Sequence, residues 1–180
     1  MAITRLGGAN AITGTIPQGN IANASLGAVT ALPAAIPTGK ILQVSSFVQA
    51  SGGQTVSTST YTDLTDITLN ITPSATSSKI FLSANIASEL NINNGNRGYG
   101  MKFLRDSTAV YGSGNTYEVY IQQTGTNTGQ HHLTHQFNYI DSPNTTSQIT
   151  YKVQVATEGG NAVPFNAPLK SNIFAMEIAG

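Results

Sequence analysis

The sequence contains very little charge. Its 180 residues include eight Lys or Arg and eight Asp or Glu, so charged residues make up 9% and the formal net charge is zero. Soluble domains usually carry about 25% charged residues. A neutral chain has no summed field to attract a phosphate backbone or an anionic membrane, so nucleic acid is not an expected partner. Neutrality also removes repulsion between copies, which favours self-association or residence in a larger assembly.

Cysteine is absent, which excludes both a disulfide framework and a thiolate metal site. No apolar run approaches the roughly 18 residues of a membrane span, so membrane insertion is not expected. The N-terminus lacks the basic and apolar regions of a signal peptide. We therefore expect synthesis in the cytoplasm without secretion.

The first 38 residues have the composition of an extended arm. Before Lys40 the only charge is Arg5, and single aliphatic residues recur at irregular steps. Neither a period of 2 nor one of 3.6 is sustained, and Pro17, Pro33 and Pro37 exclude a long helix or a central strand. A short helix between Asn23 and Pro33 remains an alternative. The residues that we predict to be anchors buried against other chains are Ile12, Ile16, Ile21, Leu26, Val29, Leu32 and Ile36.

From Ile41 the residue pattern changes to one that is typical of β-sheet proteins. Short runs rich in Ile, Val, Thr, Tyr and Phe alternate with Gly, Asn, Ser and Pro clusters, and about nine or ten strands can be placed without a convincing helix. Strands are predicted in QTVSTSTYTDL (54–64), TDITLNITP (65–73) and TYEVYIQQ (116–123), among others. The sequence therefore predicts an all-β chain with two parts: an extended N-terminal arm or stalk (1–38) and an antiparallel, jelly-roll-like β-sandwich head (39–180).

Two local patterns are sharper than the rest. In SKIFLSANIASELNI (78–92) the apolar residues fall on one face with Ser88 as the exception, which predicts a half-buried antiparallel strand. The predicted inward residues are Ile80, Leu82, Ala84, Ile86 and Leu90. In YGMKFLRDSTAVY (99–111), Asp106 and Ser107 predict a hairpin turn, since their side chains can bond nearby backbone amides.

The histidine cluster HHLTHQF (131–137) is a candidate metal site. His131 and His135 have helical metal-ligand spacing, but His132 stands where a zincin helix needs Glu. On a strand, His131 and His135 share a face and lie about 13 Å apart, too far to bind one ion within a chain. We expect histidines bonded to neighbouring polar groups. A ring of His135 side chains around a three-fold axis remains the alternative.

No other pattern predicts catalysis. YGSGNTY (111–117) is neither a phosphate loop nor a nucleophile elbow. The carboxylates are scattered singly, so an enzyme such as a glycosidase would need a pair assembled from distant strands. Arg97 and Arg105, with nearby tyrosines at 99, 111 and 120, could stack on a sugar or a base, although packing explains them more simply. We predict no catalytic residue, no metal site and no cofactor.

Several segments resemble a family of small virion structural proteins of tailed marine bacteriophages, of the cyanophage and pelagiphage kind. They are MAITRLGGANAITGTIPQGNIA, TALPAAIPTGKILQV, TDITLNITPSATSSKIFL, FLRDSTAVY, YIDSPNTTSQITYKVQV and IFAMEIAG, which together cover most of the chain. None of them is a catalytic motif, so no site residue is carried over. The resemblance implies a virion component with an N-terminal arm or stalk and a jelly-roll head, assembled as a homotrimer.

Two positions in a particle fit this reading. A capsid decoration or cement protein would bind other virion proteins, such as the major capsid protein, through the arm and would cover the shell with its head. A tail or head fibre would use the arm as a stalk and bind a host-surface receptor, such as a glycan, through the head. The short length and the lack of a repeat-bearing shaft favour decoration.

Overall fold

The computed structural model describes residues 40–49, 52–93, 95–112, 114–123, 125, 128–166 and 169–180. These residues belong to one compact unit, Gly39–Gly180. The predicted arm lies outside the described residues, so its extended form and the boundary at residue 38 stay predictions.

The described part of the chain is built from antiparallel strands with a single 3-10 turn at Glu158–Gly160. The strands are β1 (Ile41–Val48), β2 (Gln54–Val56), β3 (Thr62–Ile71), β4 (Lys79–Asn93), β5 (Arg97–Arg105), β6 (Thr108–Tyr111), β7 (Val119–Ile121), β8 (Thr128–Asp141), β9 (Ile149–Thr157), β10 (Val163–Phe165) and β11 (Asn172–Ile178). No helix in the described ranges is long and apolar enough to cross a membrane.

The strands form two sheets. Sheet A has the order β1-β11-β4-β8. The short strand β10, which pairs with β2, lies on the same edge of β4 as β11 and pairs with β4 past the end of β11. Sheet B has the order β3-β9-β5, with β6 and β7 sharing the far edge of β5. The long strands alternate between the sheets along the chain, which is the winding of a jelly roll. The predicted antiparallel jelly-roll sandwich is therefore confirmed.

The core lies between the sheets. The inward residues predicted on β4 are confirmed, because Ile80, Leu82, Ala84, Ile86 and Leu90 are all fully buried. From sheet B they meet buried Tyr99, Met101, Phe103, Tyr151, Val153 and Val155. The exception, Ser88, is also buried, and its hydroxyl donates to the Tyr99 hydroxyl at 2.8 Å. Burial raises the pKa of Tyr99 to about 12.

Two predicted strands are wrong in extent. Residues 57–61 are not strand; the hydroxyl of Thr58 accepts the Thr60 N–H at 3.0 Å, and its carbonyl accepts the Thr157 N–H at 2.8 Å. The predicted strand 54–64 therefore splits between β2 and β3. Of the predicted strand 116–123 only β7 is strand. Residues 114–118, before β7, lie across the outer face of sheet B.

The predicted hairpin between β5 and β6 is confirmed, and Asp106 sits in its turn with φ 54°. The Asp106 carboxylate reaches β9: it accepts the Thr150 N–H at 3.0 Å, and the Asp106 N–H donates to the Thr150 carbonyl at 2.8 Å. The hairpin turn is thereby attached to β9.

Candidate interaction surfaces

The predicted anchors Ile12, Ile16, Ile21, Leu26, Val29, Leu32 and Ile36 lie outside the described residues. Their role as partner contacts stays a prediction. The sandwich itself contains the remaining candidate residues.

The histidines lie on β8. His131 pairs with Leu90 and His135 with Ile86, so both share the core-facing side of the strand, as predicted for a strand reading of this cluster. His132 points the other way, with its Nδ1 3.6 Å from a Glu89 carboxylate oxygen. Among the described residues, no group of three His, Asp or Glu is placed to hold a metal ion. His135 is half-buried on the core-facing side of β8, and the alternative of a ring of His135 side chains around a three-fold axis stays a prediction.

Most of the scattered carboxylates bond to groups of the fold. Asp63 binds the Lys152 ammonium at 2.6 Å and the Gln154 amide at 2.7 Å. Glu118 accepts the Met101 N–H at 2.8 Å, and Met101 lies on β5 between the residues paired with β6 and those paired with β7. The Glu118 carboxylate thus bonds an amide at the gap between these two short strands.

Asp141 ends β8 and is almost fully buried. Its carboxylate accepts two bonds from the Arg105 guanidinium, at 2.9 and 3.1 Å, and one from the Tyr151 hydroxyl at 2.6 Å. Burial, followed by the bond to Asp141, raises the pKa of Tyr151. Because Arg105 and Tyr151 belong to sheet B, this network joins the end of β8 in sheet A to sheet B.

Glu177 lies on β11 with no exposed surface. Loss of water acts to raise its pKa, but hydrogen bonds from Ser74 and Gln43 outweigh that effect and lower the pKa to about 2. The Ser74 hydroxyl donates at 2.6 Å and the Ser74 N–H at 2.7 Å. The buried charge therefore holds the loop between β3 and β4 against β11.

The outer face of sheet A carries one apolar row across its width. Val44 pairs with Met176, Met176 with Phe81, and Phe81 with Ile140, so these four residues form one row across β1, β11, β4 and β8. We call them the outer row. Val44 and Ile140 at its ends are 61% and 51% exposed. Phe174 adds to the row, with its ring centroid 6.1 Å from that of Phe81.

The outer face of sheet B carries a crossing segment, residues 114–118, which we call the strap. A Cβ on Gly100 would lie 1.7 Å from the Asn115 carbonyl oxygen, and one on Gly98 would lie 3.1 Å from the Thr116 carbonyl oxygen. The Tyr61 hydroxyl donates to the Asn115 carbonyl at 2.7 Å. Two glycines on β5 thus leave room for the strap to lie on the sheet.

Tyr117 of the strap and Tyr120 of β7 form an exposed aromatic pair. The rings of Tyr117 and Tyr120 meet edge to face with centroids 5.1 Å apart, and they are 57% and 37% exposed. Of the residues considered for stacking, Tyr99 is in the core, Arg105 binds Asp141, and Tyr111 stacks on Tyr139 at 5.1 Å. Only Tyr120 of that set belongs to the pair; Tyr117 was missed.

Sequence reasoning also missed the outer row, although β11 carries a signal for it. In NIFAMEI both alternate sets are largely apolar, with Ile173 and Ala175 inward and Phe174, Met176 and Ile178 outward. A strand that is apolar on both faces predicts cover on both sides.

No protein-family model matches this sequence, and no curated protein sequence matches it. Among solved structures, the chain is similar to the VP2 subviral particle of infectious bursal disease virus, with TM-score 0.46 and 12% identity over 78% of this chain and 34% of that chain. For the Gx strain of the same virus the TM-score is 0.43 with 12% identity, over 78% of this chain and 34% of the other. The chain thus spans about a third of the length of these proteins.

Proposed function

We propose that this chain is a non-enzymatic structural protein of a virus particle. The observation that carries the proposal is the outer row, because an apolar row that crosses four strands on the outside of a sheet fits burial against another protein. The jelly-roll winding and the sequence resemblance agree with a virion component. The neutral, charge-poor composition suits permanent residence in an assembly and gives no reason to expect nucleic acid as a partner.

The outer row is tested by replacing its exposed ends. The double variant Val44→Asn, Ile140→Asn should keep the melting behaviour of the parent, because both side chains are more than half exposed. It should be depleted from particles assembled with the other virion proteins. Ser46→Asn, on the same face between Val44 and Val48, is the control and should assemble normally. Normal assembly of the double variant would refute a contact through this face.

The finer proposal is a capsid decoration or cement protein that binds the shell through residues 1–38 and forms a homotrimer. Burying each of the seven aliphatic anchors contributes about 1.5 to 3 kcal/mol, so several together can hold a segment whose charges contribute almost nothing. Binding should accordingly resist salt. The partners would be the major capsid protein and the other two copies of this chain.

The variant Ile16→Ser, Ile21→Ser, Leu26→Ser tests the anchors. We expect it to lose incorporation into particles while the sandwich melts as before. Light scattering on the parent should give three times the chain mass of 18.8 kDa, or a multiple of that value where trimers associate further. An unfolded sandwich, or undiminished incorporation, would contradict the anchor role, and a stable monomer at micromolar concentration would contradict the trimer.

The second candidate is a tail or head fibre whose sandwich binds a host-surface receptor such as a glycan. The exposed pair Tyr117 and Tyr120 favours it, since paired aromatic surfaces with polar tips suit recognition. In that case Tyr117→Ala with Tyr120→Ala should abolish binding of labelled protein to host cells, and Thr108→Ala should not. If the chain is a decoration protein, the parent, the double tyrosine variant and Thr108→Ala should all show the same cell binding.

A further inference from the structure

β8 is a long strand at the edge of sheet A, and it lacks the usual protection of edges. Its fourteen residues pair with β4 in one uninterrupted register from Asp141–Ile80 to Thr128–Asn93. Among the described strands, β8 pairs with β4 alone. Proteins normally protect such an edge with a Lys, a Pro, a bulge or a short strand. β8 contains no Lys, Arg, Glu or Pro.

The other described edges do carry such protection. The pairing of β3 with β9 is irregular between Asp63 and Thr68, where Asp66 has φ 67°. β1 has a register shift between Ile41 and Gln43 and follows Lys40. β2, β6 and β7 are only three or four residues long. β8 is thus the longest of the described edges without such protection.

We propose that β8 pairs with β8 of a second copy of this chain, antiparallel across a two-fold axis, so that sheet A continues from one copy into the next. Strand addition of this kind satisfies the free backbone groups of both edges. A two-fold contact uses the same surface on both copies, so the surface must complement itself.

The side chains of β8 meet that requirement. Its outward residues include Thr134, Gln136 and Asn138, whose hydroxyl and amide groups both donate and accept, so identical copies complement each other. The one carboxylate, Asp141, is bound to Arg105 and Tyr151. No pair of like carboxylate or ammonium charges is brought together. The apolar inward residues Leu133 and Phe137 would extend the core across the junction.

The N-terminal segment fits this edge less well. Residues 1–39 contain Pro17, Pro33 and Pro37, and each removes an N–H that a ladder needs. The segment also lacks alternation. A second β8 has no proline and alternates between its two faces, so it can pair along the whole edge. This two-fold contact is separate from the three-fold association proposed above, and it joins chains or trimers in pairs.

The absence of cysteine makes a clean crosslinking test possible. Single variants His132→Cys, Thr134→Cys, Gln136→Cys and Asn138→Cys of the full chain are treated with a short thiol-to-thiol crosslinker. We expect covalent dimers whose yield peaks at one position of β8 and falls on both sides of it. Ser46→Cys and Thr108→Cys, at exposed positions on β1 and β6, should give little dimer. Equal yields at all six positions, or no dimer at any, would overturn the proposal.

A second measurement uses charge. Thr134→Lys with Gln136→Lys places like charges across the junction, and the dimer yield of Asn138→Cys in that background should be lost. The control pair Ser107→Lys with Ala109→Lys adds the same charge on exposed residues of the β5–β6 hairpin and should leave the yield unchanged. Circular dichroism verifies that both remain folded. Dimerisation that survives the β8 lysines would refute pairing through this edge.

Discussion

Glu177 and Asp141 are carboxylates held out of water inside an otherwise charge-poor protein. Each is compensated by donors from a different part of the chain: Ser74 and Gln43 for Glu177, and Arg105 and Tyr151 for Asp141. A buried charge that loses its donors costs more free energy than the bonds contribute when they are present. Loss of the donors around Glu177 or Asp141 should therefore lower the free energy of unfolding substantially.

Glu177 should give the fold a marked acid sensitivity. Its pKa is about 2 when folded against an ordinary value of 4.5. Between these values the unfolded chain binds more protons, so stability is complete above about pH 4.5 and falls as the pH drops toward 2. Glu177→Gln should flatten this decline and lower stability at neutral pH by about 2 kcal/mol. Urea titrations from pH 2 to 7 measure both effects, and a decline in Glu177→Gln as steep as that of the parent would contradict this role of Glu177.

Arg105 and Lys152 allow a comparison of two ion pairs. Arg105→Met leaves the buried Asp141 without its cation and should cost about 3 kcal/mol of unfolding free energy. Lys152→Met breaks the pair with Asp63, whose side chain is 51% exposed, and should cost less than about 1 kcal/mol. Chemical denaturation measures both. Equal losses would mean that the Asp141 network does not act as a buried pair.

Among elements, the strap depends on the absence of a side chain at Gly100. Gly100→Ala would place a methyl group against the Asn115 backbone, which cannot move without lifting the strap. We expect faster hydrogen exchange in residues 114–118 with the sheets still folded. Gly129→Ala is the matched control, since a Cβ there meets nothing closer than 3.8 Å. Unchanged exchange in Gly100→Ala would show that the strap is not held by this contact.

The strands also show which features of the fold could be predicted from the sequence alone. Alternation is local, so the faces of β4 and β8 and the turn at Asp106 were predictable. The break after Val56 was not, because it depends on a bond between Thr58 and Thr157, almost a hundred residues apart. The strap and the outer row likewise need the strand order, which period-2 patterns do not encode. Of the candidate surfaces, only the anchors of residues 1–38 came from sequence, and they remain untested.

At the scale of the whole molecule, the sandwich should fold without the first 38 residues. Its buried core consists of residues from Val56 to Ala175, with Phe47 packed against it, and all of these belong to the unit Gly39–Gly180. A chain starting at Gly39 is expected to be soluble and to melt cooperatively with a β-type circular dichroism spectrum. An insoluble product, or one that melts without cooperativity, would place the predicted boundary in the wrong position.

The position of β11 has a consequence for folding. It follows the other described strands in the sequence, yet it lies between β1 and β4 and pairs with both. Until residues 172–178 are in place, β1 has no neighbour among the described strands of sheet A, and the edge of β4 that pairs with β11 is open. Closure of sheet A therefore joins segments that are far apart in the sequence, which predicts slow folding with a period in which open edges can aggregate.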